Sequence, residues 1–213
     1  MAYSIHSNIR LWAICLLFAS LIQGCATTTE IPLTQTEPPQ WQETISQLAN
    51  IDHWEFSGKI GVKVPERIDS AVINRWMQAD AEFTIDLSSA IFGLGATRIN
   101  GTPDYIVITE SGEPPITSLE PTRLIEQHIG WPLPIAKLRY WVKGMPAPTE
   151  TDEDNVQALK FNNSGELSEL KQNGWQINYS KYTLFNNINL PRKIVLRQQQ
   201  AKITVIINEW QLP

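Results

Sequence analysis

The chain carries few side chains whose types and spacing could perform bond-making chemistry. His53 and His128 lie in different predicted elements, and no cysteine accompanies either of them, so a metal site is not predicted. The pattern Gly-x-Ser-x-Gly of a nucleophilic serine is absent. Gly93-Leu94-Gly95 lacks the rest of a dinucleotide-binding fingerprint. The sequence therefore predicts no catalytic residue, no metal ligand and no cofactor, and we do not expect an enzyme.

Cys25 is the exception, because its surroundings predict a covalent modification. Arg10 precedes the apolar run 11–22 (LWAICLLFASLI), which is too short to span a bilayer as a helix of about 20 residues. The run is typical of a signal-peptide core, and Gly24-Cys25 follows it like the end of a bacterial lipobox, with Ile22 at its start. We expect removal of residues 1–24, and diacylglycerol and an N-acyl group on Cys25. An ordinary signal peptide that happens to meet a cysteine is the alternative.

The charge balance and the cysteine content argue against further classes of protein. The chain has 17 Lys and Arg against 22 Asp and Glu, and removal of the leader with Arg10 would make the balance more negative. This argues against a nucleic-acid partner and against a polybasic membrane-binding protein. Cys15 leaves with the leader, so the mature chain cannot form an intramolecular disulfide, and lipid on Cys25 would explain its single cysteine.

Periodicity predicts one mainly β domain after a tether. Residues 26–40 are rich in Thr and Pro and are predicted to form a flexible tether after Cys25. Residues 41–50 have helical spacing, and the alternation of apolar and polar residues over 54–64 predicts a long half-buried strand. About nine or ten antiparallel strands are predicted across 41–213, with two helices inserted after about the fifth.

A sheet of that size must curl to bury its apolar face. We therefore expect a mainly β fold in which a curved antiparallel sheet forms an open, incomplete barrel covered by a helical lid. Trp54 and Trp210 are predicted to be core residues.

The order of several short motifs resembles the LolB family of outer-membrane lipoprotein receptors, from Cys25 to the end of the chain. The pieces are the lipobox, Pro39-Gln40-Trp41, the strand with Gly58, Arg75-Trp76-x-Gln78, the apolar loop ending in Gly93, Leu133-Pro134-Ile135, Leu138-x-x-Trp141-x-x-Gly144-x-Pro146, Asn173-Gly174-Trp175-x-x-x-Tyr179, Leu190-Pro191 and Trp210.

The resemblance implies an open barrel with a helical lid. It also implies a function: to accept lipoprotein cargo from a LolA-like periplasmic carrier and to insert it into the outer membrane. The chain would then be a monomer, anchored by lipid at the periplasmic face of the outer membrane. The residue after Cys25 is Ala26, not the aspartate of an inner-membrane retention signal, which agrees with a location in the outer membrane. The alternative is a structural or scaffold lipoprotein with a closed apolar core.

Two groups of site residues are predicted. The curved sheet could supply an apolar groove for acyl chains, lined by Trp76, Phe83, Ile85, Leu87, Leu138, Trp141 and Trp175. The loop Ile91, Phe92 and Gly93 would insert into the membrane, with Phe92 at the position of a family leucine held to be needed for insertion. By residue type alone, this apolar loop tip is either tucked into the core or exposed to lipid.

Overall fold

The computed structural model describes residues 32–88, 96–129, 133–149, 151–152 and 155–212. Cys25 and the loop residues Ile91, Phe92 and Gly93 lie outside the described residues, as does the leader. None of the helices in the described ranges is long and apolar enough to cross a membrane.

The described residues form three helices and eleven strands. The helices are α1 (Trp41–Ala49), α2 (Pro121–Ile129) and α3 (Ile135–Trp141). The strands are β1 (His53–Val64), β2 (Arg67–Ala79), β3 (Glu82–Leu87), β4 (Thr97–Thr102), β5 (Tyr105–Glu110), β6 (Ile116–Ser118), β7 (Val156–Phe161), β8 (Leu167–Gln172), β9 (Trp175–Phe185), β10 (Ile188–Gln198) and β11 (Ala201–Gln211).

All eleven described strands belong to one antiparallel sheet that does not close into a barrel. Its order is β6-β5-β4-β3-β2-β1-β11-β10-β9-β8-β7, so β1 and the final strand β11 are neighbours at the centre. The fold class is confirmed. The described strands exceed the nine or ten predicted, partly because the short edge strand β6 has no alternating pattern of its own.

Strict alternation divides the sheet into two faces. In β1, Trp54, Phe56 and Val62 point to a buried inner face, while Lys59 and Lys63 point to a solvated outer face. A Cβ at Gly58 would collide with the Ile206 carbonyl, so glycine is required at this register shift between β1 and β11. The inner face carries the core.

The segment before α1 is held against the sheet over part of its length. Thr34 pairs with Phe161 through two backbone hydrogen bonds of 3.0 and 2.8 Å. Trp41, the first residue of α1, packs edge-to-face on the Phe161 ring at 4.8 Å. The predicted flexible tether 26–40 therefore does not extend to residue 40, because Thr34 within it pairs with Phe161 of β7.

Candidate functional site

An apolar cavity of about 60 Å³ lies between the inner face of the sheet and the helices α2 and α3. Every described side chain that lines it is hydrophobic. From the sheet these are Ile60, Val62, Ile73, Trp76, Ile85, Leu87, Ile99, Ile194, Leu196, Ile203 and Val205. From the helices and the residues next to them they are Ile125, Leu133, Ile135, Leu138, Trp141 and Val142.

The structure brings five of the seven predicted groove residues to this cavity: Trp76, Ile85, Leu87, Leu138 and Trp141. Phe83 and Trp175 are buried, but neither is among the described lining residues. Phe83 lies toward the β2–β3 turn, paired with Gln78, and Trp175 lies behind Trp141, with ring centroids 6.4 Å apart. Both residues follow the alternation of inner-face residues, but each lies on a part of the inner face outside the cavity.

Sequence reasoning missed most of the aliphatic lining. Ile194 and Leu196 of β10 and Ile203 and Val205 of β11 face the cavity from the centre of the sheet. Ile203 and Val205 alternate with Lys202 and Thr204, which was a usable signal for an inner face, whereas Val195 between Ile194 and Leu196 breaks the alternation in β10. It did not place the cavity, because position along the inner face depends on long-range strand pairing.

An aromatic cluster fills the sheet interior beside the cavity. Trp54, Phe56, Trp76 and Trp210 contact one another with ring centroids 5.0 to 6.1 Å apart. Trp54 and Trp210 are 3% and 4% exposed, which confirms the prediction that both are core residues. The Trp210 Nε1 donates to the Pro191 carbonyl at 3.1 Å. In the described part of the chain the buried Trp76 Nε1 has no acceptor, so the lining offers one unpaired donor.

Helix α3 is fixed to strand β8 through the fully buried Gln172. Its Oε1 accepts from the Trp141 Nε1 and from the Ala147 amide, each at 2.9 Å. Its Nε2 donates to the Ala147 carbonyl at 2.8 Å. One side chain thus satisfies three buried groups at the end of α3, which holds this helix rigidly over the sheet.

Lys143 fixes the same segment to the end of α1. Its ammonium donates to the Leu48 and Ile51 carbonyls, each at 2.7 Å, at the C-terminal end of α1 where a cation is favourable. The side chain is only 4% exposed. Burial lowers the pKa of Lys143 to about 8, and the nearby Arg139 cation acts in the same direction.

Helix α2 is held at its last turn by Arg67 of strand β2. The Arg67 Nη2 donates to the His128 carbonyl at 3.3 Å, a longer bond than those made by Gln172. Arg67 also forms an ion pair with Asp69 on the same strand. Both side chains belong to the inner face near the cavity, because Asp69 pairs with the inward-facing Val62.

Asp52, His53 and Asp80 are the described group whose ligand atoms come close enough together for a metal ion. All three residues are exposed. The His53 Nδ1 lies 3.0 Å from Asp52, its Nε2 lies 3.7 Å from Asp80, and the hydrogen bond to Asp52 raises the pKa of His53. Two carboxylates facing the two ring nitrogens favour a protonated imidazole, which is not a metal ligand.

The cavity can shelter apolar chains, and its described lining offers no nucleophile and no acid or base. An open antiparallel sheet with a helical lid over an apolar interior is the architecture of a class of proteins that bind hydrophobic ligands.

Comparison with known proteins places the chain within that class. The family model "Outer membrane lipoprotein LolB" matches residues 52–210. The outer-membrane lipoprotein LolB of Stutzerimonas stutzeri is 36% identical over 91% of this chain and 91% of its own, and that of Marinobacter nauticus is 35% identical over 92% and 94%. The chain belongs to the LolB family.

Among solved structures, a LolA superfamily protein from Nitrosomonas europaea aligns with 81% of this chain and 93% of its own, at a TM-score of 0.49 and 11% identity.

Proposed function

We propose that this chain is an outer-membrane-anchored receptor that accepts lipoproteins from a LolA-like periplasmic carrier and inserts them into the outer membrane. The observation that carries the proposal is the wholly apolar cavity beneath α2 and α3, in a chain that belongs to the LolB family. Relatives named outer-membrane lipoproteins support the same location for this chain.

The energetics of lipid transfer explain why a non-catalytic protein is sufficient. Each methylene removed from water gains about 0.8 kcal/mol, so a long acyl chain exposed in the periplasm costs on the order of 10 kcal/mol. A protein that binds the chain better than the carrier does, and less well than the membrane does, lets transfer run downhill without a chemical energy source.

The cavity widens when cargo enters. Its volume of about 60 Å³ is smaller than one long acyl chain, so cargo binding selects a state in which the lid lies farther from the sheet. Helix α2 is the better candidate to move, because Gln172 and Lys143 fix the end of α3 through shorter hydrogen bonds.

The proposal also assigns roles to the lipid anchor at Cys25 and to the apolar loop that contains Phe92. Lipid on Cys25 would keep the receptor at the acceptor membrane, and Phe92 at the tip of the apolar loop would enter the bilayer during delivery. Neighbouring polar and glycine residues support an exposed tip: Ser88 and Ser89 precede it, and Gly93 and Gly95 follow the apolar pair Ile91-Phe92.

The experiment is cargo transfer from an acyl-loaded LolA-like carrier to the purified chain, compared between two valine substitutions on opposite faces of the sheet. Val205→Phe fills the cavity from β11, and Val72→Phe adds the same bulk at a position of β2 that is 44% exposed on the outer face. We expect several-fold lower cargo uptake by Val205→Phe and normal uptake by Val72→Phe. Equal uptake by both variants would place the cargo elsewhere, and no uptake by the unmodified chain would favour the scaffold alternative.

A further inference from the structure

One end of the outer face of the sheet, where β1 ends and β11 begins, concentrates positive charge in a chain that is acidic overall. Cross-strand register aligns Lys63, Lys202, Arg197, Gln176 and Lys171 in one line across β1, β11, β10, β9 and β8. We call this line the basic row. Its four cations are exposed, and since adjacent strands lie about 4.8 Å apart, they extend over roughly 20 Å.

Of the two neighbouring rows on the same face, one is neutral and the other is basic. One contains Glu169 and Lys160, which form an ion pair at 2.8 Å, and the other contains Lys59 and Lys193. In these three rows of described residues, seven cations therefore accompany one carboxylate, although the whole chain has 17 Lys and Arg against 22 Asp and Glu. Glu66, in the turn after β1, is the acidic residue that follows Lys63 most closely in the chain.

This arrangement costs stability in the isolated protein. Lys63 is the direct cross-strand partner of Lys202, and Lys202 is the direct partner of Arg197. Like charges directly opposite each other in a sheet are destabilising. A bound anionic surface would remove that repulsion.

Apolar side chains lie among these cations on the same face. Ile68 is 74% exposed beside Lys63, while Val72 and Ile206 flank Lys59 and are 44% and 42% exposed. A mixture of lysine, arginine and isolated aliphatic side chains suits the headgroup region of a bilayer, where cations meet phosphates and aliphatic groups meet the acyl boundary.

We propose that this outer face binds the anionic phospholipid headgroups of the membrane that carries the anchor. The inference rests on the proposed function, since it names the surface that faces the acceptor bilayer. Charge complementarity supports a membrane, and so does the length of chain before the described domain. Thr34 is fixed on β7, and the nine residues 25–33 that precede it can reach at most about 32 Å, so lipid on Cys25 would keep the β7–β8 side of the sheet near the bilayer.

The direction of the strands supports the same orientation. Leu87 pairs with Thr97, and the Ser88 amide donates to the Val72 carbonyl. Strand β3 therefore ends, and β4 begins, toward the end of the sheet that carries the basic row. A membrane bound to this face would lie close to the flanks of the proposed insertion loop.

The test is vesicle binding by the full mature chain with Cys25→Ser, which removes the lipid anchor. Vesicles of phosphatidylcholine are compared with vesicles that also contain phosphatidylglycerol, by co-sedimentation at low and high salt. The variant Lys63→Gln/Lys202→Gln is matched with Arg123→Gln/Lys137→Gln on the lid helices, which changes the net charge equally. The two lysine substitutions in the row remove a repulsion, so thermal unfolding of that variant should not occur at a lower temperature.

We expect binding that requires phosphatidylglycerol, is lost at high salt and falls about fivefold for each row cation removed, with the lid variant unchanged. Equal binding by the two double variants, or binding independent of phosphatidylglycerol, overturns the proposal. So does a row variant that binds vesicles normally but loses the carrier, because the partner is then a protein. Cargo acceptance in solution, measured on the same proteins, tests the receptor function separately and should not change in the row variant.

Discussion

Gln172 of β8 accepts a hydrogen bond from the indole of Trp141 at 2.9 Å, and this contact joins the lid to the half of the sheet that follows it in the chain. The same amide side chain pairs with both backbone groups of Ala147. Trp141 lines the cavity, and its Nε1 donates to Gln172 on the side away from the cavity. This part of the aromatic lining therefore has no unpaired polar atom. The relationship makes the end of α3 a fixed point, about which the rest of the lid can move.

Gln172→Leu should lower the free energy of unfolding by about 3 kcal/mol, because it leaves three buried groups without partners in an apolar environment. The matched control is Gln176→Leu on β9, whose amide donates to Glu169 at 2.8 Å on the outer face; the control should lose less than about 1 kcal/mol. Urea denaturation measures both values. Equal losses would show that the hydrogen bonds of Gln172 contribute no more to stability than a hydrogen bond on the outer face.

Arg67→Met should loosen α2 without loosening α3, since it removes the hydrogen bond to the His128 carbonyl. We expect faster amide hydrogen exchange in α2 and faster cargo uptake, with exchange in α3 unchanged. Asp69→Asn is the control, because it breaks the ion pair but leaves Arg67 able to donate to His128. Unchanged exchange in α2 would contradict a role for Arg67 in holding the lid.

Lys143 should make stability depend on pH. An unfolded lysine keeps its proton up to about pH 10.5, while Lys143 in the folded state releases it near pH 8. Between these values the unfolded chain binds more protons, so the free energy of unfolding rises with pH. Urea denaturation across this range should show the rise in the unmodified chain and a smaller one in Lys143→Met. The same slope in both proteins would assign the rise to other groups.

Phe92→Glu should separate acceptance from delivery. A carboxylate at the loop tip opposes entry into the bilayer but leaves the cavity unchanged, so we expect normal cargo uptake from the carrier and strongly reduced transfer to vesicles. Leu119→Glu is the control, since Leu119 is an apolar residue that is 78% exposed elsewhere on the chain. Transfer by Phe92→Glu at the rate of the control would remove the loop from the mechanism.

The sheet could be predicted from the sequence because its signal is local. Alternation in β1 identifies which side chains face inward. The helical spacing of Leu124, Ile125 and His128 marks a lid helix, and Leu124 and Ile125 are buried in the structure. Phe83 and Trp175 show the limit of this reasoning. Their periodicity is that of inner-face residues, but the cavity lies farther along the sheet, and its position is set by strand pairs that are distant in sequence.

The sequence by itself determined the predicted export and anchoring motif, the absence of a recognisable catalytic motif, the division of each strand into two faces and the resemblance to the LolB family. The tertiary structure decided which side chains surround the cavity, that the cavity is small, and that Gln172 contacts Trp141. It also decided that Lys63 and Lys202 lie side by side, although 138 positions separate them in the chain. Composition and periodicity report on neighbours along the chain, whereas the basic row exists only because the hydrogen-bond ladder between β1 and β11 fixes their register.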